Sequence, residues 1–85
     1  MLLINESEEY SSRIFETYKL NLNWIAIHYE KLLLEYENHF VAVNDKKVFD
    51  SDKNLQRLLK RVESNNSSQW KTIAIMQITQ NRKGF

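Results

Sequence analysis

The chain contains no cysteine and no proline, and its single glycine is Gly84. Without cysteine, disulfides, thiolate nucleophiles, zinc knuckles and iron–sulfur ligation by this chain are excluded together. With no glycine before Gly84 there is no glycine-rich phosphate loop, which removes Walker-type and dinucleotide-fold readings. No internal repeat and no flexible linker are evident. Long apolar runs are missing as well: Met1-Leu2-Leu3-Ile4 meets Asn5-Glu6 at once, too short for a signal peptide or a membrane span. These features predict a soluble, cytoplasmic protein with no membrane partner, in which the Asn-x-Ser triplets at Asn5, Asn65 and Asn66 are chance.

What is present is an ordinary globular composition, 42% apolar and 27% charged over 85 residues. That length predicts one domain with a thin core, which a partner covering further apolar surface would help. The pattern divides it into a helical N-terminal extension over 1–21, an α-β-β-α-β core over 22–79 and a tail over 80–85.

From Glu6 to about Glu37 the spacing is helical, with Ser7 or Asn5 able to cap the start and Glu8 and Glu9 in the first turn. Asn21 and Asn23 flank Leu22, and asparagine caps helices better than it fills them, so one helix and a pair broken near Asn21 both fit. Beyond that point Ile25, Tyr29, Leu32, Leu33 and Tyr36 share a face that should lie on the core. Trp24, Ile27 and Leu34 point away from it and need their own cover. The aromatic stripe Tyr10, Ile14, Phe15 and Tyr18 supplies that cover, or another protomer does.

Phe40-Val41-Ala42-Val43 and Lys46-Lys47-Val48-Phe49 read as a β-hairpin turning at Asn44-Asp45, with Val41 facing Val48 and Phe40 facing Phe49. Asp50, Ser51 or Asp52 then caps a helix to about Ser64, with Leu55, Leu58, Leu59 and Val62 inward and Lys53, Arg57, Lys60 and Arg61 outward. The polar stretch Ser64 to Gln69 reads as a loop. Thr72-Ile73-Ala74-Ile75-Met76-Gln77-Ile78 follows as a buried third strand. The expected fold is α+β: a three-stranded sheet in the order 2-1-3, the Lys46-Lys47 strand a charged edge, and both helical layers on one face.

From Trp24 to Ile78 this arrangement, with Tyr36, His39-Phe40-Val41-Ala42-Val43, a polar turn, Val48, a capped leucine-rich helix and an apolar last strand, resembles a family of small prokaryotic domains known only as domain of unknown function 5678. In that family an aromatic followed by Val-Ala leads the first strand, as Phe40-Val41-Ala42 does here. Family members usually place a glycine before that strand, where Asn38 stands in this chain, and the segment before Asn21 falls outside the resemblance. It implies the fold and carries no active site.

No chemistry-bearing constellation emerges. His28 and Glu35 share a polar face with Lys31 two helical turns apart, and His39 sits at a helix exit, so both histidines read as surface residues. The serines read as caps and turns, and the acid pairs Glu8-Glu9 and Asp50-Asp52 stand where helix starts favour negative charge. No catalytic residue, metal site, cofactor or small-molecule substrate is expected.

Charge is uneven: residues 1–40 hold seven acids against three bases, and residues 41–85 nine bases against four acids. The favoured expectation is a non-enzymatic interaction or assembly module, a homodimer or a subunit of a complex, using Tyr10, Ile14, Phe15, Tyr18, Trp24, Ile27 and Leu34. Its N-terminal aromatics also suit docking into a groove. The alternative is a nucleic-acid-binding or regulatory protein using Lys53, Arg57, Lys60 and Arg61 as phosphate contacts, with Arg82-Lys83 as a basic tail.

Overall fold

A computed structural model describes residues 6–65 and 70–80, with the side chains of the first helix described from Ser12 onward. The Asn5 cap, the Tyr10 side chain, the Glu8 and Glu9 carboxylates, loop residues 66–69 and tail residues 81–85 lie outside the described residues. The elements are α1 (Glu6–Ile27), α2 (Tyr29–Tyr36), β1 (His39–Asn44), β2 (Lys47–Asp52), α3 (Leu55–Asn65), a single 3-10 turn (Trp70–Thr72) and β3 (Ala74–Ile78). The α+β class and the strand order β2-β1-β3 are those expected from the sequence.

α1 does not break at Asn21, and with α1 starting at Glu6, Ser7 is inside the helix rather than its cap. Asparagine disfavours helix interiors because its side chain competes for backbone groups. Here the Asn21 amide is buried and committed elsewhere, donating to Asn44 Oδ1 at 2.9 Å and to the Thr72 carbonyl at 2.7 Å. The break comes seven residues later, at His28, whose backbone (φ −102°, ψ 16°) leaves the helical region. There the Trp24 carbonyl accepts from both the His28 amide (3.1 Å) and Nδ1 (2.9 Å), so the junction loses little hydrogen bonding.

Asn38 brings the chain from α2 into β1 with φ 65°, a left-handed conformation asparagine tolerates, and its amide donates to the Ile78 carbonyl at 2.6 Å. The hairpin register differs from the expected one. The turn residues are Asp45 and Lys46, both at positive φ, and Val43 pairs with Val48 and Asn44 with Lys47. A bulge then leaves Phe49 without a partner: Ala42 pairs with Asp50, Val41 with Ser51 and Phe40 with Asp52. The strand therefore consumes the residues expected to cap α3, and Asn54 caps it instead, its Oδ1 accepting from the Arg57 amide at 3.0 Å.

β1 is antiparallel to both neighbours, so β2 and β3 run parallel with β1 between them. Val41, Ala42 and Val43 are all fully buried, which requires cover on both faces of the sheet. Val41 and Val43 pack with Ile25, Leu32, Ala74 and Ile78 beneath α1 and α2. Ala42 packs with Leu58, Val62 and Ile73 beneath α3. The helices are thus divided between the two faces instead of sharing one. The physical reason is alternation: an apolar run with no polar positions has no face that can be left to water.

Candidate interaction surfaces

α2 and the end of α1 bury the stripe the sequence marks. Ile25 and Leu32 are in the core, with Tyr29, Leu33 and Tyr36 packed around them. The Tyr29 hydroxyl clamps the end of β3, donating to the Thr79 carbonyl at 2.8 Å and accepting from the Thr79 amide at 2.8 Å. The outer side is uncovered: Leu34 is 87% exposed and Ile27 69%.

Trp24 departs from expectation. It is half-buried against the core, with its ring stacked on His28 at 4.4 Å between centroids, so neither residue is a free surface group. Of the N-terminal stripe, Tyr18 packs on the core, Ile14 is half-buried, and Phe15 is 58% exposed under the Lys19 ammonium at 5.2 Å. The stripe and the Trp24, Ile27, Leu34 set therefore do not form one continuous patch. Because α1 is unbroken, its aromatic half does not fold back over Ile27 and Leu34, which are exposed among the described residues.

Leu20, 68% exposed, is the residue sequence reasoning missed. Its signal was available: Leu20 stands seven residues before Ile27, a spacing that keeps to one side of a helix. Leu20, Trp24 and Ile27 form one wall of an open groove whose other wall is Asn44, Asp45, Lys46 and Thr72. Ile27 also borders a second groove, with Tyr29, Glu30, Leu33, Thr79 and Gln80, at the end of β3.

The α3 surface is built differently from a phosphate-binding face. The bulge turns Asp50 and Asp52 toward α3, where Arg61 holds Asp50 through Nε (3.0 Å) and Nη2 (2.9 Å), Asp52 through Nη1 (2.9 Å) and the Ser51 carbonyl through Nη2 (3.1 Å). Arg57 donates to Asp52 from Nη2 (3.1 Å) and Nε (3.3 Å). The Arg61 hydrogen bonds hold the Asp50 carboxyl below the usual carboxylate range, those from Arg57 above all lower Asp52 strongly, and the two aspartates, Asp50 first, raise Arg61. Two of the four expected phosphate contacts are thus neutralised at home, which leaves Lys53 and Lys60 exposed. Leu58 and Val62 are buried as expected, while Leu55 and Leu59 are only partly covered, because a sheet three strands wide does not extend beneath the full helix face.

His39 donates from Nδ1 to the Glu37 carbonyl at 3.0 Å. Among the described residues, no three His, Asp or Glu side chains gather as a metal ion would require, and no helix is long and apolar enough to cross a membrane. Comparison with known proteins finds no matching family model, no matching curated protein and no matching solved structure.

Proposed function

We propose that this chain is a cytoplasmic, non-enzymatic assembly module that associates with a second copy of itself through the outer side of α1 and α2. The observation that carries this reading is the unbroken course of α1. It keeps the aromatic half of the helix from folding back over Ile27 and Leu34, and these two residues and Leu20 are exposed among the described residues of α1 and α2. Exposed aliphatic surface of this kind is favourable to close against another surface. The acidic first half and basic second half of the sequence further suit association between copies.

Sedimentation of the purified protein over a range of concentrations tests the reading. A reversible dimer is expected, weakened about tenfold or more by Ile27→Lys or Leu34→Lys if those residues are central to the contact. Both positions are exposed, so the variants should keep their fold by circular dichroism. A folded wild-type chain that stays monomeric at every concentration would sink the proposal.

A further inference from the structure

α1 outruns the body it belongs to. Its residues packed on the core begin at Tyr18, and of the side chains described from Ser12 to Thr17 all are exposed except Ile14, which is half-buried. Glu6 to Thr17 therefore forms a helical arm about 18 Å long. A helix this short is marginal in water unless one side of it is packed. The radius of gyration, 14.8 Å, exceeds the roughly 12 Å of a compact chain of this length, in agreement with an element standing clear of the body.

The groove between α1 and the hairpin turn has the pattern of a helix-binding surface. Thr17, Leu20, Trp24 and Ile27 line it from α1 at successive steps of three, four and three residues, the spacing at which one helix presents a seam to another. Carried back along the arm, the same spacing gives Arg13 and Tyr10. One side of α1 is thus a single seam, half of it on the arm and half of it in the groove. Charge divides in the same way. The arm holds Glu6, Glu8, Glu9 and Glu16 against Arg13, while the far wall of the groove holds Lys46 beside Asp45, with Lys47 and Lys71 adjoining and exposed.

We infer that two copies pair α1 with α1, antiparallel about a two-fold axis, each laying its arm in the groove of the other. The inference rests on the self-assembly reading above and names its route. An arm does not reach its own groove, because the helix is unbroken from Glu6 to Ile27. A second copy carries both the matching seam and the opposite charge. When the two kinds of seam position alternate across the pair, Thr17 faces the partner's Leu20, Arg13 the partner's Trp24 and Tyr10 the partner's Ile27. The acidic arm then lies along the lysine-bearing wall, and the exposed Leu20 and Ile27 are closed to water.

Cysteine cross-linking reads this register, because the chain has no thiol of its own. In an equimolar mixture of Tyr10→Cys and Ile27→Cys chains, mild oxidation should yield a mixed covalent dimer. Neither variant alone should cross-link, since the two copies of either position stand about 25 Å apart along the helices. In sedimentation, Leu20→Lys should weaken association about tenfold or more. Phe15→Gln, on the opposite side of the same helix, should leave it unchanged. A wild-type dimer whose mixed variants do not cross-link, and whose affinity Leu20→Lys leaves unchanged, would overturn the helix route and leave the assembly reading standing. Cross-linking of Tyr10→Cys to itself would overturn the antiparallel register. A wild-type monomer at every concentration would overturn both the route and the assembly reading.

Discussion

Asn21 and Asn44, 23 residues apart, are joined side chain to side chain at 2.9 Å, with the Thr72 carbonyl accepting the second Asn21 proton at 2.7 Å. One amide therefore ties α1 to the end of β1 and to the entry of β3, and it is the only buried polar or charged side chain among the described residues.

Replacing Asn21 by alanine leaves the Thr72 carbonyl and the Asn44 side chain without that donor. Alanine is the better helix former, so local propensity alone argues for a gain. The loss of two buried hydrogen bonds outweighs it, and urea titration should show a destabilisation of about 1–3 kcal/mol.

Lys46 has φ 61° in a turn that suits glycine better than lysine. Lys46→Gly should stabilise the fold by about 1 kcal/mol by removing that conformational cost. A drop in melting temperature would mean that the lysine side chain contributes more than the turn geometry shows.

Asp50 and Asp52 ionise below the ordinary carboxylate value of 3.8 in the folded chain, held there by Arg61 and Arg57. On acidification the unfolded chain takes up protons first, so the stability these pairs contribute is present above pH 3.8 and is lost as the pH falls through the folded values. Thermal melts from neutral pH to about pH 2 should show that decline. Arg61→Ala should lower the melting temperature at neutral pH and flatten the acid decline, with Arg57 retaining part of it at Asp52. Arg61→Lys should not rescue, because one ammonium cannot reproduce a fork that spans two carboxylates and a carbonyl.

Leu58 is fully buried and Leu59 is not, although both belong to the leucine stripe of α3. Leu58→Ala should cost about 2–5 kcal/mol, and Leu59→Ala about 1 kcal/mol. Equal losses in chemical denaturation would mean that α3 sits rotated from the described position.

Much of the architecture was legible in the sequence. Val41-Ala42-Val43 has no polar position to give to solvent, which marks it as the central strand, and the Leu58, Val62 spacing marks the buried line of α3. What escaped depends on distant partners. Nothing local to Asn21 says that Asn44 and Thr72 will satisfy it, so a residue that breaks helices by propensity is carried through one. Arg61 belongs by spacing to a solvated face, yet its two acids stand nine and eleven residues away and meet it only because β2 is bulged. Of the expected interface residues, Ile27 and Leu34 are uncovered as anticipated. Tyr18 and Trp24 are drawn toward the core, because α1 continues through Asn21 and ends only before His28.

Phe49 makes β2 one residue longer than the ladder opposite it. Val48 and Asp50 sit on adjacent rungs and therefore belong to opposite faces, although in sequence they are two apart. Were the extra residue drawn into a regular ladder, Asp50 would slide against Val41, into the apolar layer under α1, and its contact with Arg61 would be lost. Were Phe49 removed, every remaining rung would keep its match. The hairpin at this point is more sensitive to parity than to chemistry, and a chain shortened by this one residue should fold more readily than one shortened on either side of it.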